Sequence, residues 1–335
     1  MKKHIGNALK LLLSLGLGVG LIYWFVGKMS DDDIRLTKDA FLRANYFWIF
    51  LAPVMGLISN FSRARRWIML LEPTGHKPGF INTYCSVMMM YLFNLLFPRL
   101  GEVTRCSILA RYENVPLDKS IGTMVVERLV DLFTIVVIGS LLLFFERERL
   151  MTFFQENVLS KPEAAPIESG YMKWVVYGII LLGIIAAAVY FEQKYGFARF
   201  KQMLKERLVG FFEGLKSIRN VSNPAEFVFH SVFIWVCYFL MIYWSFPALA
   251  ETKGMGVSTG MACLFFGGFA MVATPGGIGA YPLAISKVLA LYGLSETIGY
   301  AFGSIVWVAQ MGAVLLGGVI CLVVLAIINR EPALE

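Results

Sequence analysis

The chain has 335 residues, 58% of them apolar and only 16% charged, with a formal net charge of +7. A soluble domain is nearer about 45–50% apolar and about 25% charged, so an ordinary soluble domain is excluded and a polytopic membrane protein is predicted. The positive surplus is spread over the links between apolar runs, a pattern of membrane topology rather than of nucleic-acid binding.

A membrane-crossing helix needs about 20 mostly apolar residues. The start, Met1-Lys2-Lys3-His4, precedes an apolar run at 9–26. It resembles a signal peptide, but no small-x-small cleavage site follows, so it reads as a retained first span. An acidic link, Asp31-Asp32-Asp33, comes next. The second span, 46–61, ends at Arg63, Arg65 and Arg66, which read as positive-inside anchors. The apolar segment 80–97 runs into Asn94-Leu95-Leu96-Phe97-Pro98-Arg99-Leu100-Gly101-Glu102-Val103-Thr104-Arg105. The third span, 121–145, carries Glu127, Arg128 and Asp131 near its start. A link with Pro162 and Pro166 leads to the fourth span at 174–191. The basic stretch 192–226 follows. Its Phe197, Phe200, Leu204, Leu208, Phe211, Leu215 and Ile218 fall at helical steps of three and four, predicting an amphipathic helix on the inner leaflet. The fifth span is 227–249. The apolar segment 257–273 ends in Thr274-Pro275-Gly276-Gly277-Ile278-Gly279, and the sixth span is 300–328.

Two apolar segments are thus broken by proline and glycine. Irregular backbone at membrane depth is tolerated where it is buried in protein or lines a cavity, and a pair of such breaks in corresponding halves points to a transport site. Pro98 precedes Gly122 by 24 residues and Pro275 precedes Gly299 by 24, a constant shift of 177. The predicted fold is therefore all-α, with six to eight transmembrane helices and two re-entrant hairpins in an inverted repeat. One membrane domain covers 1–335: a first repeat at 46–191, the basic cytoplasmic segment at 192–226 and a second repeat at 227–328. Six crossings plus two hairpins, or eight full spans, both place the two termini in the cytoplasm.

Arg99, Glu102, Arg105, Glu127, Arg128 and Asp131 put six charges into apolar sequence. Glu102 and Arg105 share a helix face, as do Arg128 and Asp131, and Glu127 and Asp131. One reading is a neutral ion network that holds the broken helix against the third span. The other is a polar cavity for a phospholipid head, with arginine on the phosphate and carboxylates on an amine. Pro275, Gly276, Gly277 and Gly279 are uncharged and form either tight packing or the second wall of that cavity. The five cysteines lack any CxxC pair and the three histidines are scattered, so no metal site is expected. No nucleotide-binding motif appears, and no cofactor or catalytic residue is expected.

These motifs carry a resemblance. Asn94 with Pro98-Arg99-Leu100-Gly101-Glu102-Val103-Thr104-Arg105, then Glu127-Arg128-Leu129-Val130-Asp131-Leu132, then Thr274-Pro275-Gly276-Gly277-Ile278-Gly279 resemble the flippase-like transmembrane domain of the lysylphosphatidylglycerol synthetase/flippase family of bacteria and archaea. The resemblance implies an inner-membrane protein with re-entrant helices and an inverted repeat, and lipid translocation in members fused to a lysyltransferase domain. Two departures stand out. No aminoacyl-transferase segment lies within the 335 residues, which reads as a stand-alone member, and Pro282 occupies a position that is often acidic in the family. The expectation is a non-enzymatic lipid translocase that moves or binds phospholipid head groups. Its expected substrate contacts are Asn94, Arg99, Glu102, Arg105, Glu127, Arg128, Asp131, Pro275, Gly276, Gly277 and Gly279. The alternative is a non-catalytic partner that presents lipid to a lipid-modifying or glycosyl-transfer enzyme; a third reading makes Glu127 or Asp131 the base of a membrane transferase.

Overall fold

The computed structural model describes residues 23, 27, 30–96, 100–147 and 217–329. The first and fourth spans, most of the basic stripe, and Phe97, Pro98 and Arg99 fall outside the described residues. Within them the regular structure is entirely helical, as the composition predicts.

Helix α1 (Asp31–Arg43) begins where an acidic link was expected. Ser30 and Asp33 cap each other's backbone N–H, and three aspartates sit at the positive end of the helix. Helix α2 (Tyr46–Leu71) runs ten residues past the expected end at 61. Helices α3 (Phe80–Leu96) and α4 (Leu100–Tyr112) pack closely on each other. Helix α5 (Leu117–Phe145) follows. After the undescribed segment come α6 (Pro224–Tyr243), α7 (Val257–Ala273), a 3-10 turn (Pro275–Gly277), α8 (Ala280–Leu291) and α9 (Glu296–Ile328).

Among the described residues, α2, α5, α6 with the turn after it, and α9 are long and apolar enough to cross a membrane. The large apolar side chains that α5 exposes, Leu129, Leu132, Phe133, Val136 and Phe144 among them, are explained by contact with lipid. Helices α3 and α7 have 17 residues each, α4 has 13 and α8 has 12. At about 1.5 Å per residue these are roughly 18–26 Å long, less than the hydrocarbon core of about 30 Å.

The order long helix, 17-residue helix, short helix, long helix occurs twice among the described residues. Val257 follows Phe80 by 257 − 80 = 177 residues, and Ala273 follows Leu96 by 273 − 96 = 177. The two sets pack through α3, which touches α9 and the Pro275–Gly277 turn. Leu92 lies against Gly318 and Leu95 against Gly276. Within the first hairpin, a Cβ on Gly101 would fall 2.0 Å from the Met90 carbonyl oxygen, so α4 approaches α3 as closely as it does only because residue 101 is glycine.

Candidate functional site: a buried arginine-rich ion cluster

Three helices bring five charges to one point. Arg63 and Arg66 sit one turn apart on α2, Arg105 lies on α4, and Glu127 and Asp131 lie one turn apart on α5. Arg63 Nη1 donates to Glu127 Oε1, and to Asp131 Oδ2 at 3.0 Å. Arg66 Nη2 donates to Asp131 Oδ1 at 2.7 Å and lies 3.4 Å from Glu127 Oε1. Arg105 Nη2 donates to Glu127 Oε2 at 2.9 Å. The side chains of Arg66, Arg105 and Glu127 are completely shielded from solvent, and Arg63 is 3% exposed.

Neutral groups hold the charges in place. The Trp67 ring lies 4.3 Å from Arg105 Cζ, and its indole N–H donates to Thr123 Oγ1 at 3.1 Å. Arg63 Nη2 donates to the Tyr238 hydroxyl at 3.1 Å, which is itself 3.0 Å from the Tyr91 hydroxyl. Arg66 Nη1 is 3.4 Å from Ser231 Oγ. Arg105 Nε and Nη1, Arg63 Nε and Arg66 Nε are buried with no acceptor. Among the described residues, three guanidinium groups face two carboxylates, a surplus of 3 − 2 = 1 positive charge.

Residues 8–318 match the sequence model of the family described as the lysylphosphatidylglycerol synthase TM region. The chain belongs to this family. A UPF0104 membrane protein from Methanocaldococcus jannaschii is 26% identical over 147 residues, 42% of this chain and 42% of that protein. The match thus spans less than half the length of that relative. No solved structure matches the chain. The family region contains every helix that contributes to the cluster.

Of the residues expected at the site of this family member, Arg105 pairs directly with Glu127, and Asp131 joins them through Arg63 and Arg66. Glu102 and Arg128 form a second pair at 3.5 Å beside them, with Arg128 41% and Glu102 22% exposed. Arg128 Nη1 also lies 3.9 Å from Asp131 Oδ2, which connects the exposed pair to the buried group. Asn94 has a local role: its Oδ1 accepts the Gly101 backbone N–H at 2.9 Å at the start of α4. Arg99 is outside the described residues. The glycine motif forms a tight turn in which Gly276, Gly277 and Gly279 all have positive φ. The turn packs on Leu95, Met271, Tyr281 and Met311, and the Trp307 indole N–H donates to the Gly276 carbonyl at 2.7 Å. Its contacts support the charged hairpin through Leu95, the neighbour of Asn94.

Two expectations change. Arg63 and Arg66 are not solvent-facing anchors but the α2 half of the cluster. Helix α2 continues through them because the carboxylates of α5 compensate their charge inside the protein. The apolar run Trp67-Ile68-Met69-Leu70-Leu71 beyond Arg66, together with the three-residue spacing, was the signal in the sequence. The ion network expected between α4 and α5 also takes in Arg63 and Arg66 of α2. Arg65, by contrast, is 40% exposed and donates to Glu226 at 2.8 Å. Beside it, Ser62 Oγ lies 2.6 Å from His230 Nδ1, at a crevice of about 280 Å³ walled by Phe61, Phe80, Phe229 and Phe233.

Proposed function

We propose that this protein is a lipid translocase in which the arginine-rich cluster meets the phosphate of a phospholipid head while the tails stay in the bilayer. The observation that carries this reading is the buried cation surplus. Ionisable groups inside a membrane protein are costly and mark substrate paths. Arginine pairs bidentately with phosphate oxygens. The half-exposed Arg128–Glu102 pair gives the buried group an edge from which a head could enter.

The short α3–α4 and α7–α8 pairs read as re-entrant hairpins of an inverted repeat, supported by their lengths and by the 177-residue shift of matched helix bounds. Transporters with such repeats bind substrate at the junction of broken helices and move by rocking one repeat against the other. In this reading the chain is a single domain of a bacterial or archaeal inner membrane, with both termini cytoplasmic and the first hairpin opening inward. Movement is downhill or coupled to an ion gradient.

The test is to reconstitute the purified chain with fluorescent phospholipids of several head groups and follow the fraction accessible to dithionite. Faster exchange than in empty vesicles, lost in Arg105→Gln, is expected. A folded wild-type protein that speeds no head group would defeat the proposal.

The complete burial of Arg66, Arg105 and Glu127 favours a rival in which the ions only fasten α2, α4 and α5 together. In that case Arg105→Gln lowers thermal stability and leaves the exchange rate of the surviving folded fraction unchanged.

A further inference from the structure

Two helix stripes meet at the aromatic crevice beside Arg65. The α2 stripe is Ile58, Phe61, Ser62 and Arg65; the α6 stripe is Glu226, Phe229, His230 and Phe233. Each is spaced i, i+3, i+4, i+7, the pattern of one helix face. Arg65 Nε donates to Glu226 Oε1 at 2.8 Å and Ser62 Oγ lies 2.6 Å from His230 Nδ1, so the stripes run antiparallel. Both charged positions therefore stand at one mouth, and Ile58 and Phe233 stand at the far end. Glu226 lies in the first turn of α6, the end of a helix long enough to cross a membrane. The mouth thus lies at head-group depth and the aromatic part at chain depth.

The walls are rings that hold each other. Phe61 stacks on Phe80 and Tyr84, with ring centroids 5.7 and 4.3 Å apart, and Phe229 stacks on Phe233 at 5.5 Å. The polar floor, Ser62 and His230, is paired within itself. Phe61, Phe80 and Phe229 are exposed, as are Val228 and Val232 beside them, an apolar surface suited to lipid. The crevice holds about 280 Å³. One turn of an α-helix, about 10 Å across and 5.4 Å high, fills roughly 400 Å³. The space therefore takes part of a hydrocarbon chain and not a partner's helix. At the mouth, Arg65 is 40% exposed and uses only Nε on Glu226. Its Nη1 and Nη2 share the outer edge of the guanidinium and have no acceptor among the described residues. Two N–H groups on that one edge match two oxygens of a phosphate.

We infer that the crevice is a second lipid site, separate from the ion cluster. It holds one membrane phospholipid by its phosphate on Arg65 Nη1 and Nη2 and by one acyl chain between the two phenylalanine walls. Phosphate and chain are common to all phospholipids, so the site does not distinguish heads. The next residue on each helix, Arg63 after Ser62 and Ser231 after His230, belongs to the cluster. A lipid in the crevice thus braces the two helices that hold Arg63 and Arg66, whether or not lipid is transported.

The experiment measures binding without transport. The full chain in neutral detergent is titrated with phosphatidylcholine carrying a diazirine on one acyl chain and irradiated, and labelled residues are located by peptide mass spectrometry. Saturable labelling at 58–61 and 229–233 is expected. Unlabelled phosphatidylcholine should displace it at least roughly tenfold more effectively than diacylglycerol, which has no phosphate. R65Q is expected to raise the half-saturating concentration roughly tenfold. E226Q removes a negative charge beside the phosphate and leaves the outer edge of Arg65 in place, so it is expected to bind as tightly as wild type or more tightly. I58W, which fills the far end, is expected to lose the label, and folded R105Q to keep it.

Labelling that does not saturate, or that is as strong on the exposed face of α5, is general bilayer contact and overturns the inference. Equal competition by diacylglycerol overturns the phosphate contact on which it rests. Equal weakening in R65Q and E226Q overturns it in favour of an ion pair that only fastens α2 to α6. Loss of the label in folded R105Q assigns the lipid to the cluster and overturns a separate site. If I58W or R105Q does not fold, the comparison of R65Q with E226Q, both at the partly exposed mouth, decides.

Discussion

Glu127→Gln tests the cluster most directly. The substitution keeps the shape of the side chain and removes one of only two negative charges facing three guanidinium groups. The surplus rises from one to 3 − 1 = 2, and Arg105 loses its sole carboxylate partner. Removing one partner of a buried ion pair costs about 3–5 kcal/mol, because the charge left behind is uncompensated. At about 2 °C per kcal/mol for a chain of this size, the melting temperature should fall by roughly 6–10 °C. A thiol-reactive fluorescent dye suits the measurement, because all five cysteines are buried and become reactive only on unfolding. Arg105→Gln combined with Glu127→Gln returns the surplus to one. The double variant should recover part of the loss, with a coupling of about 0.5–3 kcal/mol between the two sites. A loss below about 1 kcal/mol in Glu127→Gln, with no coupling to Arg105, would refute the buried and mutually compensating arrangement and indicate hydrated, independent charges.

Gly101→Ala should disrupt the packing of α4 on α3, because its Cβ would fall 2.0 Å from backbone rather than from a movable side chain; a fall in folded yield by size-exclusion chromatography reports it, with Gly312→Ala, whose surroundings are open, as the control. The Asp33 carboxylate, held below its usual range by hydrogen bonds from Thr297 and Ser30, ties α1 to α9. A depressed folded pKa means that this tether is present above the usual carboxylate pKa near 3.8 and is lost as pH falls through the lower folded value. Limited proteolysis of α1 should therefore rise at acid pH in wild type and already be high at neutral pH in Asp33→Asn.

Much of this arrangement is legible in the residues themselves. Pro275 and the glycines after it mark the break between α7 and α8, because one helix cannot continue through them. Glu127 and Asp131 on a common face of α5 follow from helical periodicity alone. The role of Arg63 and Arg66 does not, because local sequence cannot show that a charge is compensated 61 to 68 residues away. The positive-inside rule then assigns both to the surface and ends the span too early. The partner of Glu102 is missed for a related reason. Arg105 lies on its own face, yet the tertiary fold turns Arg105 toward Glu127 and brings Arg128 to Glu102 instead. For the acidic link the signal was present and local. Ser30 followed by Asp33 is a helix-start pattern, and three aspartates at a helix N-terminus are stabilising rather than disruptive.

The surplus charge separates a fastening from a binding site. An ion network whose only task is to hold α2, α4 and α5 together gains nothing from an extra guanidinium, because each uncompensated buried charge weakens the fold it is meant to secure. Gln or Met at position 105 would fill similar space and leave a balanced set of two arginines and two carboxylates. The chain instead retains Arg105, stacks Trp67 on its guanidinium and aligns that indole with Thr123. Such support is needed to keep a half-paired cation oriented while its second acceptor comes from elsewhere. Arg128, 3.5 Å from Glu102 and 3.9 Å from Asp131, stands between the buried group and the exposed edge. In the translocase reading proposed above, Arg128 would shift between these two carboxylates as an anion passes the edge, so that the protein's own charges stay paired.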